Sequence, residues 1–152
     1  MIPDDHVRPR DTPVDLAFEM LKDGRTAEER YQITEEIYRA FLVVSGDVNP
    51  LHVDDDFART AGFDAKVTHG GLLNAFLSHF VGMVMPGRRS LLMTSDVRYL
   101  SSSHVGDVIR ISGRITQQVE SQSIVVLTLE LTNETRGRLA ARGRLQVKVR
   151  RG

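Results

Sequence analysis

Cysteine is absent from the 152 residues of the chain. Its absence excludes a disulfide framework, a zinc site built from thiolates and a cysteine nucleophile. Charge of one sign is not in excess either, because 20 acidic residues balance 20 basic ones. No overall field therefore favours a nucleic acid or a membrane surface as a partner.

Long hydrophobic runs are also missing. The longest apolar stretch, residues 72–85, is interrupted by Asn74, Ser78 and His79. As a helix it would extend about 21 Å at ~1.5 Å per residue, short of the ~30 Å of a bilayer core. Residues 1–15 contain no apolar segment of the kind found in secretory signals. We therefore expect a soluble, cytoplasmic protein with no membrane insertion and no nucleic-acid partner.

The composition that remains is typical of one globular domain. Hydrophobic residues make up 41% of the chain and charged residues 26%, and the length fits a single core. The charges are unevenly distributed: residues 1–76 carry 15 acidic and 8 basic side chains, whereas residues 77–152 carry 5 and 12. The two halves can attract each other within a monomer or between subunits, and the basic half can also hold an anion.

The hydrophobic patterns predict an α+β fold, in which helices come first and strands follow. Thr34 is a suitable N-cap for a helix with an apolar stripe of Ile37, Phe41 and Val44. The predicted N-terminal elements are a loose arm over residues 1–12, a short helix over 13–22, a short strand over 30–33, and helices over 35–44, 54–60 and 71–85. The last helix is apolar nearly all round, which is typical of a buried central helix. Strands are predicted over residues 90–100, 107–120, 123–133 and 138–150, and they form an antiparallel sheet that wraps this helix.

Residues 45–52, with the sequence SGDVNPLH, place a carboxylate and an imidazole on one turn. Pro50 restricts the backbone, and the side chain of Asn49 can bond to it. Asp47 and His52 can therefore converge on one water molecule as a general acid–base pair, which is worth ~10²–10⁴ in rate. The alternative is a turn rich in Asp and Asn beside a structural histidine.

Residues 68–71, with the sequence THGG, open the central apolar helix. Free N–H groups at a helix start stabilise developing negative charge, and a glycine lets a carbonyl approach them. Gly70 is thus a candidate oxyanion donor, worth ~10²–10³ in rate. The alternative is that the glycines serve tight packing. His69, beside this donor, either lines the site or only packs.

Taken together, these motifs resemble the hydratase motif of the MaoC-like family, which includes the (R)-specific enoyl-CoA hydratases. The matching segments are residues 41–52, 57–58, 62–63, 67–70 and 105–107, within a resemblance that covers about residues 31–149. The resemblance implies a single hot-dog domain, an antiparallel sheet wrapped around one long helix, usually paired as a dimer. It divides the chain into an N-terminal extension, residues 1–28, and the hot-dog domain, residues 29–152.

The resemblance also implies roles for individual residues. Asp47 and His52 would activate the water that adds across C2–C3 of a 2-enoyl thioester, and Asn49 would hold the loop. The amide of Gly70 would bind the thioester carbonyl. Ser78 falls where close relatives also have a serine near the catalytic pair.

One departure from the family pattern concerns the acyl pocket. The family commonly reads His-Gly-Met-Leu where this chain has Gly71 as the third residue. The loss of the Met side chain predicts a wider or looser pocket. His69 and Gly71 are counted with Asn49 and Ser78 as substrate-binding or supporting residues.

The sequence therefore predicts a hydro-lyase for acyl thioesters, acting as an (R)-specific 2-enoyl-thioester hydratase or as the reverse dehydratase. The acyl group would be carried by coenzyme A or acyl carrier protein, as part of the substrate. We expect no cofactor and no metal site. We also expect a homodimer or a larger homo-oligomer. The alternatives are an acyl-thioester hydrolase on the same fold and a non-catalytic acyl-thioester-binding subunit.

Several other charged side chains receive structural interpretations. We expect the acidic residues after His52 to cap a helix rather than bind a metal. His79 is predicted to be a satisfied core histidine, and His6 and His104 are predicted to lie on the surface. Arg88, Arg89 and Arg98 form either a solvated basic face or contacts to the phosphates of coenzyme A.

Overall fold

The computed structural model describes Val7 and residues 9–152. Residues 1–6 and Arg8, with most of the predicted arm and the position of His6, lie outside the described residues. The elements are β1 (Thr26–Gln32), α1 (Glu35–Ser45), α2 (Pro50–Val53), α3 (Asp55–Thr60), α4 (Gly70–His79), β2 (Ser90–Tyr99), β3 (Val108–Val119), β4 (Ile124–Asn133) and β5 (Arg138–Val149). A π-helical turn, Phe80–Val84, continues α4, and 3₁₀ turns lie at Phe18–Met20 and Glu120–Gln122.

The five strands form one antiparallel sheet in the order β1-β3-β4-β5-β2. The four predicted C-terminal strands are confirmed, and their ends differ by at most one residue from those predicted. Strand β1 is longer than predicted, because it begins at Thr26, which pairs with Arg114 of β3. The two edges of the sheet are therefore β1 and β2.

The core lies between the sheet and α4. One face of α4 buries Leu72, Leu73, Phe76 and Leu77, and it packs with the inward-facing aliphatic side chains of β3, β4 and β5. Gly113 of β3 permits close packing, because a Cβ there would lie only 2.8 Å from the ring of Phe80. This arrangement is the predicted hot-dog fold. In residues 9–152, no helix is both long and apolar enough to cross a membrane.

The prediction of a helix over residues 13–22 is wrong, apart from the 3₁₀ turn at Phe18–Met20. The backbone of Val14 instead bonds outside the segment: its N–H donates to Met83 O, and its carbonyl accepts from Arg88 N. Phe18 and Leu21 are buried in the main core. The predicted boundary between residues 28 and 29 falls inside β1.

Two predicted apolar faces are less covered than expected. Val44, placed in the stripe of α1, is 83% exposed, and the buried side chain of this helix is Tyr38. Helix α4 is also not buried all round, because Gly71, Asn74, Ala75 and Ser78 lie exposed along one face. A groove between α1 and α4 results.

Candidate active site

The loop after α1 holds Asp47 through its own backbone. Gly46 ends the helix in the left-handed conformation at φ 64°, where glycine is favoured, and its N–H bonds to Leu42 O. The amide of Asn49 donates to Asp47 Oδ1 at 3.1 Å, and the Asn49 side chain accepts from Leu51 N at 3.0 Å. Both hydrogen bonds of Asn49 stabilise the loop and leave Oδ2 of Asp47 free to face the site.

His52 lies on the short helix α2 with its ring held in one orientation. Its Nδ1 is 2.7 Å from Val67 O. Because a carbonyl can only accept, Nδ1 carries the hydrogen, and in the neutral ring Nε2 has a free lone pair. Nε2 faces Asp47 Oδ2 at 3.6 Å.

The separation between Asp47 and His52 suits a shared water. At 3.6 Å the two acceptor atoms are too far apart for a direct hydrogen bond. One water can donate its two hydrogens to Asp47 Oδ2 and His52 Nε2, which leaves an oxygen lone pair free for attack. The Asp47 side chain is 49% exposed and that of His52 is 18% exposed, so the pair is open to a ligand.

His69 joins the same cluster from the N-terminus of α4. Its ring stacks on that of His52 with centroids 3.7 Å apart. Its Nε2 is 2.8 Å from the backbone oxygen of Asp47 and therefore donates to it. Both interpretations of His69 hold: it packs, with a side chain 6% exposed, and it lines the site.

Asp47, His52 and His69 place one potential metal-binding atom each within 4.8 Å of the others. The hydrogen bond of His69 opposes that use, because its Nε2 already carries a hydrogen directed at Asp47 O. The lone pair of the neutral ring then lies on Nδ1, which is buried without a partner among the described residues. The hydrogen bond of His69 therefore disfavours cation binding by the trio and leaves Asp47 and His52 as the pair suited to proton transfer.

The N-terminus of α4 lacks a side-chain cap, unlike the N-termini of α1, α2 and α3. Side chains of Thr34, Asn49 and Asp54 cap α1, α2 and α3, whereas His69 makes no side-chain cap bond to α4. Gly70 is the first residue of α4, so its N–H has no partner within the helix. It lines a groove of about 600 Å³ together with His52, His69, Gly71, Tyr99 and Ser101–Ser103 among others. The amide is therefore placed to bind a carbonyl in this groove.

Gly71 lies against the side chain of Phe41. A Cβ at this position would lie 2.9 Å from Cζ of Phe41. The Phe41 ring also packs on His69, with centroids 5.1 Å apart. The expected widening of the pocket stays a prediction, and the structure adds that an aromatic ring from α1 packs beside the glycine.

Ser78 is not brought to the cluster. It lies eight residues beyond Gly70, about 12 Å along α4 at ~1.5 Å per residue. Its side chain is exposed, and it is not among the residues that line the groove. The prediction for His79 is confirmed in part: its two ring nitrogens bond to Tyr31 Oη and Arg10 O, but the residue is half-buried beside the groove between α1 and α4 and not in the core.

Tyr38 is a supporting residue that sequence reasoning missed. Its hydroxyl donates to the backbone oxygen of His52. Burial raises the pKa of Tyr38, and the carboxylates of Glu35, Asp47 and Asp55 raise it further, so the hydroxyl remains a donor at neutral pH. No local pattern in the sequence indicates this contact, because it joins α1 to α2.

A buried polar network behind the groove was also missed. Asp107, only 2% exposed, accepts from Asn133 Nδ2 at 2.7 Å, Arg136 Nε at 2.8 Å and His104 N at 2.9 Å. The surface position predicted for His104 is wrong: it is 5% exposed and its Nδ1 bonds to Lys66 O. The network anchors the segment that carries Ser101–Ser103.

Two of the candidate phosphate-binding arginines are already paired. Arg89 donates to Asp15 at 2.6 Å, and Arg88 lies 3.9 Å from the same carboxylate. The hydrogen bond from Arg89 holds the pKa of Asp15 below its usual value. These two side chains therefore do not form a free anion site.

The chain is similar to a known domain family and to two named hydratases. A family model described as MaoC like domain matches residues 18–135. The chain is 33% identical over 134 residues to the (R)-specific enoyl-CoA hydratase of Aeromonas caviae. That alignment covers 88% of this chain and 99% of the relative. The (R)-specific enoyl-CoA hydratase of Rhodospirillum rubrum is 28% identical over 132 residues, covering 87% and 90%.

Solved structures agree with this comparison. The (R)-hydratase from A. caviae involved in PHA biosynthesis superposes with a TM-score of 0.79 at 30% identity, covering 86% of this chain and 98% of that structure. The family match covers most of the chain, including the loop with Asp47 and His52 and the start of α4. The chain therefore belongs to the MaoC-like family and has its hot-dog fold.

Proposed function

We propose that this protein is a hydro-lyase that adds water across the C2–C3 bond of a 2-enoyl thioester to give an (R)-3-hydroxyacyl thioester, or that runs the reverse dehydration. The observation that carries the proposal is the pair of proton acceptors, Asp47 Oδ2 and His52 Nε2, set 3.6 Å apart. They lie beside the uncapped first amides of α4. Two relatives that align with most of the chain are named (R)-specific enoyl-CoA hydratases.

In the hydration direction, the oxygen of the shared water attacks C3 and one of its protons passes to Asp47 or His52. A C3–O bond forms as the C2–C3 π bond breaks, and negative charge moves toward the thioester oxygen. The N–H of Gly70 stabilises that charge. The protonated member of the pair then returns a proton to C2, which restores the starting state. The proposed reaction needs no redox cofactor and no resident metal, and coenzyme A or acyl carrier protein enters only with the substrate.

We place the acyl chain in the groove between α1 and α4. This groove, about 400 Å³, is lined mostly by apolar side chains: Ile37, Ala40, Phe41, Val44, Leu72, Ala75 and Phe76, with Tyr31, His79 and Pro9. Phe41 lies between this groove and the cluster, because its ring packs on His69, and the acyl chain would have to pass this ring. Removing the hydrocarbon chain from water favours binding there.

We also propose that two copies pair through β2. This edge exposes Leu91 (59%), Met93 (53%) and Tyr99 (49%), and an uncovered apolar edge strand favours pairing with another strand. Tyr99 also lines the groove beside Gly70. A second copy at β2 would therefore close part of the site.

We propose the cytoplasm as the location of the protein, and cell fractionation tests this.

The function is tested by following the enoyl-thioester absorbance with crotonyl-CoA and 2-octenoyl-CoA. We expect Asp47→Asn and His52→Ala each to lower kcat by at least ~10² with a modest change in KM, because each removes a proton acceptor used in the transition state. The matched control is Asp56→Asn, which changes a carboxylate bonded to Arg59 on α3 and should leave kcat unaltered.

Product analysis separates this proposal from the alternatives. Chiral chromatography should yield the (R)-3-hydroxyacyl product, and carrier-linked substrates should be compared with the coenzyme A thioesters. Wild-type rates in both variants would contradict the assigned pair. Release of free thiol without hydration would instead indicate a hydrolase, and binding without turnover would indicate a non-catalytic subunit.

A further inference from the structure

The backbone of Arg10 is fixed at the end of the groove between α1 and α4. Its carbonyl accepts a hydrogen bond from His79 Nε2 at 2.7 Å, and its N–H donates to Glu29 Oε2 at 3.3 Å. The neighbouring Pro9 lines the groove. A segment that precedes the family domain is thus joined to both α4 and β1.

His79 is itself rigidly held. Its Nδ1 accepts from the hydroxyl of Tyr31 at 3.0 Å, because its Nε2 must donate to the carbonyl of Arg10. Tyr31 is 2% exposed and stacks on Phe76 with centroids 4.9 Å apart. The attachment of Arg10 therefore rests on a side chain with little freedom to move.

The attached segment lies at the far end of the groove from the reacting atoms. His79 is nine residues beyond Gly70, roughly 13 Å along α4 at ~1.5 Å per residue. A chain whose thioester carbonyl is bound at Gly70 and whose tail passes Phe41 would run toward Pro9. The groove volume, about 400 Å³, suits a small ligand rather than a helix of another protein.

We propose that Pro9 and Arg10 form the end wall of the acyl groove and that Pro9, held in place through His79, sets the longest acyl chain the enzyme accepts. This inference rests on the proposed function. Chains that stop short of the wall gain affinity with each buried methylene, up to about fourfold per group. Longer chains must displace the segment and lose that gain.

The test uses the full chain and two independent variants. Pro9→Ala removes the ring that lines the groove, and His79→Phe removes the donor to Arg10 while keeping an aromatic ring against Tyr31. Pro13→Ala is the matched control, because Pro13 lies in the same segment but does not line the groove. The readout is the ratio of kcat/KM for 2-dodecenoyl-CoA to that for crotonyl-CoA. Calorimetric Kd values for dodecanoyl-CoA and butyryl-CoA measure the same ratio without turnover, and thermal melts check folding.

We expect the dodecenoyl-to-crotonyl ratio to rise at least tenfold in both Pro9→Ala and His79→Phe and to stay within twofold of wild type in Pro13→Ala. If the wild type hydrates enoyl-CoA and both folded variants keep the wild-type ratio, the end-wall proposal is overturned and the proposed function is not. A wild type that neither hydrates nor binds any acyl-CoA would overturn the proposed function and this inference with it. If the variants change the oligomeric state and leave the ratio unchanged, a second copy covers the groove, and the end-wall proposal is overturned.

Discussion

At the scale of single residues, hydrogen bonds to backbone carbonyls define the tautomers of the histidines. All four histidines of the described chain, His52, His69, His79 and His104, place one ring nitrogen against a carbonyl oxygen. Each such nitrogen must donate, so the other nitrogen of a neutral ring is an acceptor. In His52 that acceptor faces Asp47. Ring orientation, and not only residue type, therefore makes this histidine the one suited to proton transfer.

A second residue-scale feature is the contact between Gly71 and Phe41, which yields a testable prediction. Gly71→Ala places a Cβ 2.9 Å from Cζ of Phe41, so the ring must shift from its present position against His69. We expect kcat/KM for enoyl-CoA to fall several-fold. Phe41→Leu shortens the opposing side chain, and in that background Gly71→Ala should have little effect.

A double-mutant cycle on kcat/KM measures this coupling. Residues in contact typically show interaction free energies of about 0.5–3 kcal/mol. Additive effects of Gly71→Ala and Phe41→Leu would show that the ring does not fill the space where the family commonly has Met. The thermal stability of each variant serves as the control for general unfolding.

At the scale of elements, the link between β1 and α4 is the one that positions the groove. Tyr31 of β1 bonds to His79 at the end of α4 and stacks on Phe76. Burial raises the pKa of Tyr31, and Glu29 raises it further. The folded state therefore favours the neutral phenol more strongly than the unfolded chain does.

This pKa shift predicts a loss of stability at high pH. A group whose folded pKa lies above its unfolded value of 10.0 stabilises the fold fully below that value, and the stabilisation is lost as pH rises beyond it. The wild-type free energy of unfolding should fall above about pH 10, by up to ~1.4 kcal/mol per pH unit from this group.

Tyr31→Phe isolates the effect. Near pH 7 the variant should be less stable by about 1 kcal/mol, because it lacks the bond to His79. Above pH 10 the difference should shrink and then reverse, since the variant has no phenol to ionise. Urea unfolding at neutral and alkaline pH measures both, and parallel pH profiles for the two proteins would contradict the prediction.

At the scale of the whole molecule, the two edges of the sheet differ in character. The β1 edge carries Glu28, Glu29 and Arg30, and charged side chains protect an edge from pairing. The β2 edge exposes apolar side chains instead. Oppositely charged halves of the sequence meet within one chain, as in the ion pairs Asp15–Arg89 and Glu28–Arg110. Attraction between the halves is thus at least partly satisfied inside the monomer, and β2 is the stronger candidate for an interface between copies.

The proposed dimer predicts opposite results for substitutions at the two edges. Leu91→Lys places a charge on the exposed β2 edge and should shift the protein toward monomer in light scattering. Because Tyr99 of β2 lines the site, activity should fall with the dimer fraction. Thr26→Lys adds the same charge on β1 and should leave the dimer fraction and the activity unaltered. A dimer that persists in Leu91→Lys with full activity would place the interface elsewhere.

Local signals in the sequence determined most of the architecture and the position of the reactive loop. Alternating side chains defined the strands because a half-buried strand must present one face to the core. Thr34 and Gly46 defined the ends of α1 because caps depend on adjacent residues alone. For the same reason, the turn between Asp47 and His52 could be located from residue types and spacing.

Only the tertiary structure decided which of these residues meet and which surfaces stay open. The stacking of His69 on His52, the burial of His104 and the contact of Phe41 with Gly71 each join segments distant in sequence. Residues 13–22 lack a regular helix because partners at Met83 and Arg88 take up backbone groups of Val14. The exposure of Val44 follows from the groove left beside α4. Residue patterns specify what a segment prefers to bury, whereas packing between distant segments decides what is actually buried.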